Sequence, residues 1–216
     1  TRGEITARRA DELKAAVCEA APDVLLHTAA ISDTGYAETH PEESYEANVA
    51  LPAALARASA QCGCKLVSCS SDQVYNDCDP LSSPFGEAVS LAPMSVYGRH
   101  KLEAEARLAA SAPDAVSLRL TWMYDLPAYG LSTHRNLLLN LLTAAALHEP
   151  LPLSTTDLRG VTYGRQMIEN LPAAFTLPGG VYNFGSGGSH SVYDIALGWC
   201  GLLGLSPSLL RAESGR

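Results

Sequence analysis

The chain has 216 residues, 47% hydrophobic and 18% charged, which is enough apolar material for one domain, or one domain with a small lobe. Its net charge of −8 argues against the basic face that non-specific nucleic-acid binding requires. No uninterrupted apolar run is long enough to span a bilayer and no secretory signal pattern opens the sequence, so a cytoplasmic protein with no membrane partner is expected.

Residues 7–20 are predicted as a helix, with Leu13, Ala16, Val17 and Ala20 on one face. A short apolar strand follows over 23–29. Pro41 suits the first turn of a long helix running to about Gln61. Residues 65–70 form the next strand, and a loop rich in Asp, Pro, Ser and Gly runs from Asp72 to Pro93. A helix then carries Val96 to Ala110, and 115–121 is another strand. This alternation predicts a parallel sheet with helices on both faces. After Trp122 prolines and glycines loosen the rhythm. Helices are expected near 134–148 and 191–203 and a short strand over 180–184, in a smaller lobe at the carboxyl ends of the strands. The expected division is therefore a nucleotide-binding part over 1–122 and a substrate lobe over 123–216, with 159–175 returning to the first part.

The six cysteines are Cys18, Cys62, Cys64, Cys69, Cys78 and Cys200. They form no C-x-x-C and no paired set with histidines, so no metal site is expected and the thiols read as ordinary reduced ones. No G-x-G-x-x-G precedes the first helix. Gly185, Gly187 and Gly188 follow a strand, but no acidic residue stands at the expected distance, and they make a poor phosphate cradle.

Tyr97 and Lys101 stand four residues apart on a predicted helix and so share a face. A fixed ammonium beside a phenol favours phenolate and is expected to lower its ordinary value of about 10. Such a tyrosine can give a proton to a carbonyl oxygen or take one from an alcohol. Ser71, at the end of the preceding strand, can offer the same oxygen a hydrogen bond. With nine tyrosines and three lysines in the chain the spacing alone is only suggestive, and the apolar strand ending in Ser70-Ser71 and the long polar loop after it give it weight.

Ser70-Ser-Asp-Gln-Val-Tyr75 and Pro93-Met-Ser-Val-Tyr-Gly-Arg-His-Lys-Leu-Glu-Ala-Glu105 resemble the active-site stretch of extended short-chain dehydrogenases/reductases. Pro22–Ala30, Tyr45–Val49, Leu118–Tyr124 and residues 180–196 are similar to the branch of dTDP-4-dehydrorhamnose reductases and their relatives. The resemblance implies a Rossmann-like doubly wound α/β sheet, N-terminally incomplete: the family's first strand, glycine-rich turn and next strand–helix pair have no counterpart in these residues. It also implies NADP or NAD as cofactor, a nucleotide-linked sugar as substrate, and an assembly compatible with a homodimer.

On this resemblance Tyr97 is the general acid, Lys101 tunes it and holds the nicotinamide ribose, and Ser71 orients the substrate carbonyl. Ala29 and Ala30 run beneath the cofactor, Glu4 and Ile5 lie near its adenine, and Asn48 belongs to the cofactor side. Asp72 and Trp122 are placed toward the sugar. Plainer roles compete: packing for Ala29, Ala30 and Trp122, structure for Asn48, and structural or surface roles for His27 and His100. Arg159 and Arg165 are candidates for a diphosphate, although solvated arginines are commoner. Gln73 stands where the family often has an aromatic, and Tyr36 where a charged residue is frequent. The expected function is reduction of a 4-keto nucleotide-linked deoxysugar. The alternatives are an epimerase or dehydratase using bound NAD, or a non-catalytic regulatory subunit on the same scaffold. Ser71-Asp72-Gln73 supplies one acid where dehydratases usually add a pair, which favours the reductase.

Overall fold

The computed structural model describes residues 10–76, 78, 83–126, 130 and 135–214, so Glu4 and Ile5 fall outside the described residues. Two compact units are present. One comprises 1–79, 85–120 and 170–184, and the other 80–84, 121–169 and 185–216.

In the first unit the chain runs α1 (Ala10–Ala20), β1 (Val24–His27), α2 (Thr34–Thr39) and α3 (Pro41–Tyr45). A π-helical turn (Glu46–Ala50) leads into α4 (Leu51–Cys62), then β2 (Lys65–Ser71), a 3-10 turn (Asp72–Tyr75), α5 (Val96–Ser111) and β3 (Val116–Leu120). The long helix predicted from Pro41 is thus continuous but changes kind midway, where the π turn buries Asn48 and Val49. Helix α4 stops at Gly63, whose left-handed φ of 70° lets its N–H close on the Ser59 carbonyl.

Four parallel strands form the sheet in the order β1-β2-β3-β7, where β7 is Gly180–Phe184. The short strand predicted over 180–184 therefore belongs to this sheet and pairs with β3. It arrives behind the latter part of α7 (Gly164–Ala174), so the stretch that joins the first unit is 170–184, whereas the sequence pointed to 159–175.

Alternation along the strands gives the sheet two different faces. Val67, Val116 and Leu118, none of them accessible to solvent, pack with Ala174 and with Leu171 and Phe175. Fully burying each such side chain contributes roughly 1.5–3 kcal/mol. On the other face Leu66 and Ala115 pack with Leu13 and Val17 of α1, Leu51 and Leu55 of α4, and Leu108 of α5. Toward the strands' carboxyl ends this second face turns polar, with His27, Ser68, Ser70, Ser117 and Arg119, all buried.

One expectation about the cysteines is corrected here. Packing of α1 on α4 brings Cys18 and Cys62 to a Cα separation of 5.2 Å and they are disulfide-bonded, whereas Cys64, Cys69, Cys78 and Cys200 are free.

The second unit holds two short parallel pairs. β4 (Trp122–Tyr124) pairs with β6 (Val161–Tyr163), and β5 (Leu151–Ser154) with β8 (Leu210–Glu213). Helices α6 (Leu137–Leu147) and α8 (Val192–Leu203) supply Leu141, Ala196 and Cys200 to its core, with Leu210 from β8. Among the described residues no helix is long and apolar enough to cross a membrane.

The polar end of the sheet is held by an ion pair between Glu105 and Arg119, 2.7 Å apart and 5% and 4% exposed. Arg119→Leu alone leaves the carboxylate buried without its cation and is expected to cost about 3–5 kcal/mol. Urea unfolding measures this, and a second change, Glu105→Met in the same chain, is expected to recover much of the loss.

Candidate active site

Helix α5 is fixed at its start by three contacts. The Ser95 side chain caps it by accepting from the Gly98 N–H at 3.0 Å. The Glu38 carboxylate of α2 accepts from the Val96 N–H at 2.7 Å, where the positive end of the helix favours a negative charge. Gly98 lets the first turn approach the backbone after β2: a Cβ there would sit 2.6 Å from the Gln73 carbonyl oxygen and 2.9 Å from Pro93 Cβ. Sequence reasoning missed this constraint, although a glycine immediately after a candidate catalytic tyrosine is a signal that could have found it.

This approach brings Tyr97 to Ser71, and both are buried. Ser71 ends β2 and caps the 3-10 turn, its hydroxyl accepting from the Gln73 N–H at 3.2 Å. It also lies 3.4 Å from an Asp72 carboxylate oxygen. One turn beyond Tyr97, Lys101 is 4% exposed and donates to the Cys69 carbonyl at 3.0 Å, with its Nζ 5.6 Å from the centre of the Tyr97 ring.

The expected lowering of the phenol is corrected by this geometry. Burial pushes Tyr97 up to about 12, only partly opposed by the neighbouring Ser71 hydroxyl, and Asp72 and Cys69 push it further up. The Lys101 ammonium is drawn to the Cys69 carbonyl rather than to the phenol oxygen. Burial pulls Lys101 itself down to about 8 against the support of Cys69 and Glu105, so it remains mostly an ammonium at neutral pH. Tyr97 is held as a phenol, the form that gives a proton.

At the end of β1, Ala29 is exposed and Ala30 half-buried, so the backbone there is open to close approach. Asn48 is 1% exposed and fully engaged. Its amide donates to the Ile31 carbonyl at 2.9 Å and the Ser44 hydroxyl at 3.1 Å, and its oxygen accepts from the Ile31 N–H at 3.2 Å. With both N–H donors spent, Asn48 clamps the loop that follows Ala29 and Ala30. His27 is buried in β1, and burial, then the Lys101 charge, pulls it down to about 4. His100 sits against the Ser44 hydroxyl at 2.9 Å, edge-on to the Tyr45 ring. Tyr36, on α2, donates to Glu43 at 2.9 Å and stacks on His40.

A polar network that sequence reasoning missed runs beneath these residues. Ser70 donates to Glu105 at 2.5 Å, and Glu105 takes Arg119 through both carboxylate oxygens, at 3.0 and 2.7 Å. Arg119 also donates to the Tyr75 hydroxyl at 2.8 Å, which in turn donates to Asn183 of β7 at 2.7 Å. Strands β2, β3 and β7, helix α5 and the turn carrying Ser71 and Asp72 are thereby tied together.

Trp122 and Arg159 belong to the second unit. Trp122 is 38% exposed, so it is no core residue, and its ring carries the Arg159 guanidinium at 5.1 Å. Arg159 also pairs with Asp157 at 2.9 Å, and Arg165 is exposed. The helix that follows Gly187 and Gly188 is closed by its own capping box, Ser191 with Asp194.

Ser71, Tyr97, Lys101, Ala29, Ala30 and Asn48 thus lie in one unit, at the carboxyl ends of parallel strands. Exposed small residues at the end of β1 and a lysine with two N–H groups beyond its Cys69 contact suit the nicotinamide–ribose end of a dinucleotide. Among the described residues no group of three or more His, Cys, Asp or Glu could hold a metal ion.

A family model described as the RmlD substrate binding domain matches residues 1–214. A dTDP-4-dehydrorhamnose reductase of Sinorhizobium fredii is 36% identical over 107 residues, covering 50% of this chain and 36% of that protein. A dTDP-4-dehydrorhamnose reductase of Burkholderia thailandensis is 27% identical over 207 residues, 90% of this chain and 66% of that protein. Matched segments thus span from about a third to two thirds of the length of these relatives. The crystal structure of dTDP-4-dehydrorhamnose reductase from Bacillus anthracis in complex with NADP superposes with a TM-score of 0.84 at 20% identity, covering 96% of this chain and 72% of that one. At that identity the likeness establishes the Rossmann-like α/β fold.

Two outcomes follow from the geometry. Gly98→Ala forces α5 away from the Gln73 carbonyl and is expected to destabilise by about 1–3 kcal/mol in urea unfolding, the usual cost of overpacking. His27 is neutral in the folded protein down to about 4, whereas the unfolded chain takes up its proton near 6.5. The unfolded state therefore binds more protons between those values, and stability present above 6.5 is lost as pH falls toward 4. Unfolding free energies measured across that window are expected to fall less steeply for His27→Asn than for the parent.

Proposed function

This chain belongs to the RmlD substrate binding domain family, and on that premise we propose that the protein carrying it reduces the 4-keto group of a nucleotide-linked deoxysugar, of the dTDP-4-dehydrorhamnose kind, using NADP or NAD. The observation that carries the proposal is the buried phenol of Tyr97, held protonated beside Ser71 and one helical turn from the Lys101 ammonium.

A reduced nicotinamide, when bound, supplies the hydride. Ser71 donates a hydrogen bond to the keto oxygen and fixes its position beside Tyr97. As negative charge grows on that oxygen, the Tyr97 phenol gives up its proton to it, which yields the alcohol and a phenolate. The phenolate is unfavourable in so buried a place, and the nearby Lys101 charge offsets part of that cost. One of the two Lys101 N–H groups beyond the Cys69 contact serves the ribose hydroxyls. Ala29 and Ala30 leave the strand end open to the dinucleotide, and Asn48 holds the loop beyond them in shape. Asp72 and Trp122 are assigned to the sugar side, and Glu4 and Ile5 to the adenine side. The names of the curated relatives support the reductase over the epimerase, dehydratase and regulatory alternatives.

The test uses the full-length protein. Titration with NADPH and NADH, followed by nicotinamide fluorescence, is expected to give saturable binding of at least one of them; binding of neither sinks the proposal. Tyr97→Phe is expected to keep that affinity while turnover of a dTDP-4-keto-6-deoxy sugar drops by about two to four orders of magnitude. Undiminished turnover would refute the proton-donor role.

A further inference from the structure

Strand register sets His27 of β1 beside Ser68 of β2, and Ser68 beside Ser117 of β3. The three make a buried polar row across the sheet. Over the row lies a cavity of about 10 Å³, lined also by Asn48, Lys101 and Glu105, with room for about one water molecule. His27 Nδ1 meets the Ser68 hydroxyl at 3.0 Å, while its Nε2 is buried and meets no protein partner. A buried polar nitrogen with nothing to bond costs roughly 1–3 kcal/mol, a penalty that a water in this cavity removes. Lys101 spends one N–H on the Cys69 carbonyl and has two more.

We propose that this cavity binds one water molecule bridging Lys101 and His27, which makes His27 a positioning residue for the lysine. In the bridge, Nδ1–H of His27 donates to Ser68, the water donates to the bare Nε2, and the Lys101 ammonium donates to the water. A neutral imidazole is required, since a second cation would repel the ammonium, and burial holds His27 near 4. The other groups facing Lys101 are Glu105, itself paired with Arg119, together with Cys69 of β2 and the neutral Tyr97. The bridge therefore adds solvation to a buried ammonium without adding charge. Its bearing on hydride transfer rests on the role proposed above for Lys101, but its existence does not, and the test observes Lys101 directly.

The full-length protein, without nucleotide, is prepared with isotope-labelled lysine, and the Lys101 side-chain resonance is followed by NMR through its titration. His27→Leu removes the acceptor. Ser117→Val fills the cavity while leaving the His27–Ser68 contact in place, and serves alone if the first variant fails to fold. Each is expected to lower the Lys101 midpoint by about one pH unit, the tenfold effect of losing one hydrogen bond to a charged group. His27→Gln, whose amide oxygen accepts from water, is expected to restore most of the shift. An unchanged midpoint in Ser117→Val overturns the proposal, as does a high-resolution crystal structure without solvent density in this cavity. Shifted midpoints in a protein that binds neither NADPH nor NADH would uphold the water site and sink the reductase.

Discussion

The buried pair of Glu105 and Arg119 is the interaction on which the rest of the first unit depends. Arg119 points from a central strand into the face that α5 covers, and a guanidinium cannot stay there alone. Its partner sits four residues after Lys101 and eight after Tyr97, so the three residues form one stripe along α5. The carboxylate anchors the stripe to the sheet, the ammonium occupies its middle, and the phenol stands at the end nearest Ser71. Fixing Glu105 on Arg119 therefore sets both the rotation and the height of the helix, and with them the place of the tyrosine. The Gly98 approach to Gln73 supplies the second point of attachment, and two points suffice to orient a rod.

The sheet prepares this arrangement by changing character along its length. Leu66 and Ala115 give α4 and α5 an apolar bed, and the positions further along the same strands become Ser68, Ser70, Ser117 and Arg119. Burial and hydrogen bonding then compete over each titratable group. For Lys101 the Cys69 carbonyl and Glu105 return enough to keep it charged at neutral pH. For Tyr97 and His27 burial wins, and both stay neutral. A neutral acid next to a retained cation is the polarity that a proton donation needs.

Much of this was legible from the residues alone. The parallel α/β class followed from apolar runs spaced by helical patterns, and the strand beginning at Lys65 and the helix beginning at Val96 fall within a residue of where they were expected. The grouping of Ser71, Tyr97 and Lys101 was visible because a four-residue helical spacing and a strand end are local facts. What escaped was non-local. Nothing near Arg119 in sequence names Glu105 as its partner, since the pairing depends on a helix crossing a strand. Asn48 read equally as a cofactor-side or a structural residue, and only the fold shows that its amide holds Ile31, seventeen residues away, and Ser44. The direction of the Tyr97 shift was misjudged because adjacency to a lysine is readable in a sequence and depth of burial is not. Strands β4, β5, β6 and β8 are three or four residues long and interrupted by residues such as Pro152, too short for any periodicity to show.

The order of segments in the first unit has a consequence for how this chain can be divided. β7 completes the sheet beside β3, yet its register partners lie far off in the chain, Val116 beside Gly180 and Leu120 beside Phe184, and most of the intervening residues build the second unit. The second unit is thus partly inserted into the first, as 121–169, and partly follows it, as 185–216. A fragment cut after Trp122 would contain every residue of the Tyr97 stripe and still lack its outermost strand. It would leave β3 with a bare row of hydrogen-bonding groups, an edge that invites pairing with other chains. Anyone trimming this protein to its chemical centre would do better to shorten the inserted stretch and rejoin the ends than to end the chain anywhere before Phe184.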